Sequence, residues 1–245
     1  MSTTADPLRI LIDDLVDANH ILAHEGVVDA FGHVSARHPA NPQRFFLSCS
    51  RSPELVEAAD IMEFGLDGKT PAPDSRSPYL ERYIHGAIYE ARPDVQAVIH
   101  SHAEDILPFT ISKTLVLRPV ISTAAGLGKQ APVWDIRDAF GATDLLVTSV
   151  PQGRDLAGRL GAGSIVLMRG HGFAAAGTSI YDVVATAVNL PKNARVLMNA
   201  LRFGDVIGIS DEELLVRSSR PQYYPPGTVP RAWEYWKARA AAARS

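Results

Sequence analysis

The sequence predicts an α/β domain of layered α/β/α form around a mixed or antiparallel sheet, and three observations carry that expectation. Apolar runs of strand length are interspersed with segments of helical period. Their spacing lacks the regular strand-helix-strand alternation of a doubly wound fold. The chain has 245 residues, 46% hydrophobic and 21% charged, enough for one substantial core, so one domain over 1–245 is expected.

The first helix is expected from Pro7 to Glu25, where Leu8, Ile12, Leu15, Ile21 and Leu22 recur at helical spacing and Gly26 supplies a stop. Short strands follow at Arg44 to Leu47 and Ile61 to Leu66, the second closed by the turn signal Asp67-Gly68. Thr70 to Ser77 reads as a loop. Ser77 as N-cap and Pro78 as first helical residue then open a helix with Leu80, Ile84, Ala87, Ile88 and Ala91 on one face, ended by Pro93. Val95 to His102 reads as a strand whose apolar start leads to a polar end. Further strands are expected at Leu115 to Ile121, Leu145 to Thr148 and Ser164 to Met168, with a helix from Gly153 to Leu160. A long helix from Tyr181 to Phe203 should bend at Pro191. Residues 218–245 read as a C-terminal tail over the active site or a subunit interface, rich in Pro and Tyr, with an aromatic helix from Arg231.

A formal charge of −3 without a basic run gives no electrostatic case for nucleic acid. The start lacks a signal-peptide pattern, and no stretch stays apolar for the roughly 20 residues that cross a bilayer, so no membrane partner and a cytoplasmic location are expected. Cys49 is the one cysteine, which excludes an intramolecular disulfide and leaves histidine and carboxylate as metal ligands.

His100-Ser101-His102 is the most informative tripeptide. A strand sends alternate side chains to one face, so both imidazoles point at a common position. Alone, this is also how two surface histidines at a strand end would look. Arg169-Gly170-His171-Gly172 adds a third imidazole after an apolar strand, its glycines allowing a turn that projects His171 beyond the sheet. Three imidazoles leave coordination positions open, the pattern of a catalytic metal site; a turn histidine capping a helix is the plain alternative for His171.

Glu81 is the candidate acid/base, one place beyond where a capping-box glutamate would sit, and it lies one turn from His85. His20 and His24 read as a solvent-facing helix edge, and Cys49 as a packed thiol. Gly32-His33-Val34-Ser35 and Ser48-Cys49-Ser50-Arg51 read as small polar segments able to offer N–H groups and an arginine to an anion, or as ordinary loops. Gly126-Leu127-Gly128 lacks the strand, helix and third glycine of a dinucleotide site.

Taken together, Gly32-His33-Val34-Ser35-Ala36-Arg37, Glu81 with His85, Ala97-Val98-Ile99-His100-Ser101-His102 and Arg169-Gly170-His171-Gly172 resemble the class II aldolase/adducin family over roughly Leu8 to Leu201. The resemblance implies a three-layer α/β/α fold around a largely antiparallel sheet. It also implies one divalent metal ion per chain on His100, His102 and His171, and an acid/base at Glu81 that can approach the metal. A homotetramer with active sites at subunit boundaries is the usual assembly. Zinc is the first expectation for the ion, with manganese, iron or cobalt as alternatives.

The departures select a branch. Sugar-phosphate aldolases of the family carry Gly-Asn where this chain has Gly32-His33, and their Thr-Pro-Ser/Thr-Gly phosphate segment is replaced by Leu47-Ser48-Cys49-Ser50-Arg51-Ser52-Pro53-Glu54. No tyrosine lies between His102 and Arg118. The segments around His33, Arg118-Pro119-Val120 and Asp135-Ile136-Arg137 resemble the aromatic decarboxylases acting on dihydroxyphthalate or a hydroxypyridine dicarboxylate. The expected activity is thus metal-dependent, non-oxidative decarboxylation of a hydroxylated aromatic acid through an enolate-like anion. His33, Ser48, Ser50, Arg51 and Arg118 would hold a second carboxylate, and Tyr223 or Tyr224 would close over the ring. The alternatives are an aldolase for a hydroxy-carbonyl compound, an iron-dependent oxygenase and a metal-free adducin-like interaction module.

Overall fold

The computed structural model describes residues 6–218 and 229–244. In chain order its elements are α1 (Pro7–His24), β1 (His33–Arg37), β2 (Arg44–Ser48), β3 (Ile61–Gly65), α2 (Arg82–Ala91), β4 (Ala97–Ser101), α3 (Leu107–Ile111), β5 (Val133–Trp134), α4 (Arg137–Phe140), α5 (Val150–Leu160), β6 (Ile165–Met168), β7 (Gly172–Gly177), α6 (Ile180–Leu201), α7 (Asp211–Ser218) and α8 (Arg231–Arg244). The strands make one seven-stranded sheet in the order β3-β2-β1-β4-β7-β6-β5. Every pairing is antiparallel except β5 with β6. One core joins the sheet to α1, α6 and α8 through residues such as Leu15, Ile99, Val184 and Trp233. A second joins it to α2 and α5 through Phe45, Ile84, Val98 and Leu156. The sheet therefore lies between two helical layers, as the sequence and the family resemblance predict.

Several local expectations are overturned. Gly32-His33-Val34-Ser35 is not a free loop: His33 to Arg37 is β1, buried throughout between β2 and β4. Its backbone N–H groups lie within the sheet ladders and are not a cradle for an anion. Helix α2 begins at Arg82 with Glu81 as its N-cap residue, because Pro78 forms a bridge with Cys49 and the Ser77 carbonyl accepts from the Ser50 N–H at 2.7 Å. Those bonds keep residues 77–78 extended. Leu115 to Ile121 is not a strand but is tied to α6 by Asn193, which accepts from Val120 N–H at 2.8 Å and donates to the Arg118 carbonyl at 2.9 Å. Leu145 to Thr148 is not one either, since Leu145 takes the left-handed conformation, φ 72°. Conversely, β7 (Gly-Phe-Ala-Ala-Ala-Gly) has little intrinsic strand preference and forms because β4 and β6 flank it. Helix α6 continues through Pro191. His20 is turned to the Val56 carbonyl at 2.8 Å rather than to solvent.

The described part of the tail does not cover the predicted site. Helix α8 lies on α1 and α6, with Trp233 edge-on to Tyr181 at 4.8 Å between ring centroids and Lys237 paired with Asp17 at 2.5 Å. Tyr223 and Tyr224 lie outside the described residues.

Beneath α2 runs a polar column. Alternate β1 residues His33, Ser35 and Arg37 face His85 and Tyr89, which are four apart on the helix. Two strand residues advance about 6.7 Å and four helical residues about 6 Å, so the two periods stay in step. Arg37 has no carboxylate partner among the described residues. Its guanidinium donates to the carbonyls of Val95 (2.8 Å), Pro42 (2.5 Å), Tyr89 (2.9 Å) and Arg92 (2.9 Å), closing the C-terminal end of α2.

His33 and His85 are buried as neutral rings. Burial first, then the neighbouring His100, holds His85 down to about 3. Burial and then His85 hold His33 well below the usual histidine range. An unfolded chain binds protons at these positions near pH 6.5, so between that pH and about 3 the unfolded state carries more protons and stability falls as pH falls. At pH 4.5 the His85 contribution to this loss should be on the order of 2 kcal/mol. Urea midpoints at pH 7 and 4.5 check it: His85→Gln should flatten the acid limb, and a limb as steep as in the parent would show that other groups set it.

Candidate metal centre

The β1–β4 register sets His33 opposite His100, so both rings stand on the face toward α2. His102 follows just beyond the end of β4. His171 sits in the turn between β6 and β7, where Gly170 takes φ 64°. The turn is held against β4 because Ser101 pairs with Phe173. Glu81 enters from the N-cap of α2 and is 7% exposed. Three segments thus bring four groups together, and one ligand atom from each of Glu81, His100, His102 and His171 lies within 4.8 Å of the others.

The second ring nitrogen of each histidine decides what those atoms can do. His100 Nδ1 donates to the Phe173 carbonyl at 3.1 Å, His171 Nδ1 to the Leu145 carbonyl at 3.0 Å, and His102 Nδ1 to both Asp29 carboxylate oxygens at 3.2 Å. These partners assign the proton to Nδ1 in all three rings and leave each Nε2 with a bare lone pair. His102 Nε2 is 2.9 Å from His100 Nε2 and 3.1 Å from His171 Nε2, while Glu81 Oε2 is 3.3 and 3.4 Å from His100 and His171 Nε2. Four lone-pair donors so placed repel one another unless a cation lies among them, so the donor set fits a divalent ion.

Glu81 Oε1 accepts from Val147 N–H at 2.9 Å. The left-handed Leu145, two residues earlier, presents the carbonyl that orients His171. One short backbone segment therefore places both the carboxylate and a ligand ring, which is where strained backbone is commonly found. Burial alone would raise the Glu81 carboxyl, but His100 and then His171 outweigh it and hold it well below the usual carboxylate range. Burial, then His100 and His171, holds His102 down to about 4.

Of the residues expected to contact substrate, His33 is brought to the cluster, its ring 5.1 Å from that of His100 and 4.5 Å from Tyr79. The Tyr79 hydroxyl donates to the Arg51 carbonyl. Ser48 is fully buried, and its hydroxyl lies beside that of Tyr79 without a hydrogen bond of good geometry to any described residue. The Arg51 guanidinium lies 3.4 Å from Asp60, Ser50 is exposed, and Arg118 donates to the Val206 carbonyl at 2.9 Å. No described contact links the Ser50, Arg51 or Arg118 side chains to the ligand cluster.

A model of the class II aldolase and adducin N-terminal domain matches residues 13–198. The chain belongs to the class II aldolase and adducin family. As a member of it, the chain is 32% identical over 250 residues to "Decarboxylase tropJ" of Talaromyces stipitatus, covering 94% of each. It is 26% identical over 235 residues to a 3,4-dihydroxyphthalate decarboxylase of a Terrabacter strain, covering 92% of this chain and 95% of that one. The fold matches an aldolase II superfamily protein from Pseudomonas syringae with TM-score 0.79 at 20% identity, over 98% of this chain and 95% of the other. These relatives and the class II aldolase family place the chain among lyases acting on carbon–carbon bonds.

Sequence reasoning missed Asp29. Its Oδ1 accepts from Phe31 N–H (2.8 Å) and Gly32 N–H (3.0 Å), so one carboxylate shapes the entry to β1 and orients His102. An aspartate two and three residues before those amides is a turn signal visible in the sequence; its reach to His102 is not. In this class II aldolase fold, Asp29→Asn should weaken metal binding about 10- to 100-fold, with a small change in melting temperature. Competition with a chromophoric chelator measures it, and unchanged affinity would remove Asp29 from support of the ligand.

Proposed function

We propose that the protein decarboxylates an aromatic acid bearing a hydroxyl beside its carboxylate, using one divalent ion held by His100, His102 and His171 with Glu81 beside it. Zinc is the first candidate, with manganese, iron and cobalt as alternatives. The observation that carries the reading is the ring of four lone-pair donors in which a buried carboxylate faces three imidazoles. The relatives named as decarboxylases support the reaction type. A divalent ion bound there supplies a Lewis acid for the negative charge that develops as the carbon–carbon bond opens.

The chain's own groups divide the remaining work. Glu81 Oε1 is committed to Val147 N–H, which leaves Oε2 as the oxygen that carries a proton. Oε2 takes the proton of the substrate hydroxyl, CO₂ leaves, and Oε2 returns the proton to the ring carbon. His33 and Ser48 serve the substrate's second polar group, with Ser50, Arg51 and Arg118 reaching it after side-chain movement; Tyr223 or Tyr224 would cover the ring. The desolvated wall formed by His33, Tyr79 and Glu81 keeps water from competing for that proton.

The test is a screen of the metal-loaded, metal-stripped and restored protein against hydroxylated aromatic mono- and diacids and against hydroxy-aldehydes, recording CO₂ and aldol products. CO₂ from the aromatic acids, lost on stripping and recovered on restoration, is expected. Aldol cleavage without CO₂ release would establish the second reading, a class II aldolase for an unphosphorylated hydroxy-carbonyl compound, which the family supports. Absence of metal from the purified protein would favour an adducin-like module. The reading includes a homo-oligomer, and Phe31 and Leu80, exposed beside the β1 entry and Glu81, are the apolar surface it would cover.

A further inference from the structure

The polar column beneath α2 is a continuous hydrogen-bond chain ending at the metal centre. Tyr89 Oη is 2.8 Å from Ser35 Oγ, Ser35 Oγ is 2.6 Å from His85 Nδ1, and His85 Nε2 is 2.7 Å from His33 Nδ1. All four residues are at most 2% exposed, so water does not supply alternative partners. The chain can run in two directions, each leaving one hydrogen unpaired, and the end at which that hydrogen falls decides between them. If His33 Nδ1 donates, His85 Nδ1 donates to Ser35, Ser35 donates to Tyr89, and the Tyr89 hydroxyl hydrogen has no acceptor among the described residues. If Tyr89 donates, Ser35 passes its hydrogen to His85 Nδ1 and His85 Nε2–H donates to His33 Nδ1, so the one hydrogen left over, His33 Nε2–H, falls at the metal-centre end, where a substrate can accept it, and not at the closed Tyr89 end. A neutral His85 carries one N–H and cannot serve both directions.

We propose that Tyr89, Ser35 and His85 are positioning residues that hold His33 in its Nε2–H form, making His33 a neutral hydrogen-bond donor that selects an anionic oxygen on the substrate. The identity of that oxygen, a second carboxylate, rests on the decarboxylase reading; the direction of the chain does not. His33 Nε2 has no partner among the described residues, and its ring lies beside His100. A donor fixed in this way discriminates strongly, because a substrate lacking the anionic oxygen leaves it unpaired. Asparagine at such a position donates from a flexible amide; the histidine needs the chain behind it to decide which nitrogen bears the proton.

The test uses the metal-loaded protein labelled with ring-15N histidine, with the His33 signals assigned through His33→Asn. Long-range 1H–15N correlation should show His33 Nε2 protonated and Nδ1 bare. Tyr89→Phe keeps the ring beneath Arg37 and removes the first hydrogen of the chain; His33 should then shift to a mixture of tautomers. In the same variant, KM for a hydroxylated aromatic diacid should rise about tenfold with kcat changed less than threefold, while a monoacid lacking the second carboxylate should be little affected. Wild-type His33 protonated at Nδ1 would overturn the proposal without any variant having to fold, and so would an unchanged tautomer in Tyr89→Phe. If the Nε2–H form is found but no aromatic acid is decarboxylated, the chain's direction stands and the decarboxylase reading falls.

Discussion

Gly172→Ala is expected to lose its bound divalent ion and about 3 kcal/mol or more of stability, a large effect for one methyl group. Gly172 opens β7 directly after His171, and an added Cβ would stand 2.0 Å from the Ser101 carbonyl oxygen and 3.1 Å from the His102 Cα. Both contacts are backbone, so no side chain can rotate away. Relief requires β7 to move from β4, which separates His171 from His100 and His102 together. Elemental analysis and a thermal melt measure the two consequences. A variant that keeps stoichiometric metal and melts within a degree of the parent would show that this close approach does not set the ligand spacing.

Glu81→Gln should leave fold and metal content nearly intact while kcat falls about 10³-fold, within the range for loss of a general acid/base. Glutamine is isosteric, and its amide oxygen can still accept from Val147 N–H, so the N-cap of α2 keeps its anchor. What disappears is a second oxygen able to take and return a proton. Metal content and melting temperature separate this outcome from a structural failure. Turnover within a few-fold of the parent, with metal bound, would take Glu81 out of the proton path.

These variants differ in how far sequence alone could have suggested them. The histidines that could hold a metal were visible because two stand at one strand end, where a period of two places both rings together, and the third follows an apolar strand between glycines. Glu81 was visible as a carboxylate near a helix start, though its helix begins later than Ser77 and Pro78 suggest because the sheet holds them extended. Asp29, Leu145 and Val147 carry no comparable signal. Leu145 and Val147 act through backbone groups, which any residue possesses, and Asp29 acts across 73 positions of chain. The expected roles of Ser50 and Arg51 came from a small polar segment after a strand and that of Arg118 from the family resemblance; the two arginines meet Asp60 and the Val206 carbonyl, and their reach to substrate stays part of the proposal.

Local order in this chain was largely inherent in neighbouring residues: the period of apolar positions marks α1, β4 and α6, and His-x-His on a strand sets two ligands within a few ångströms. Folding in three dimensions settled the rest. It made a central strand of His33-Val34-Ser35-Ala36-Arg37, a buried strand of the alanines in β7, and a single centre from residues as far apart as Asp29 and His171. The physical reason is range. Propensity and periodicity act over a turn or a few strand residues, whereas strand register, the close approach at Gly172 and the direction of the Tyr89 chain arise from contacts between segments that meet after the core has closed.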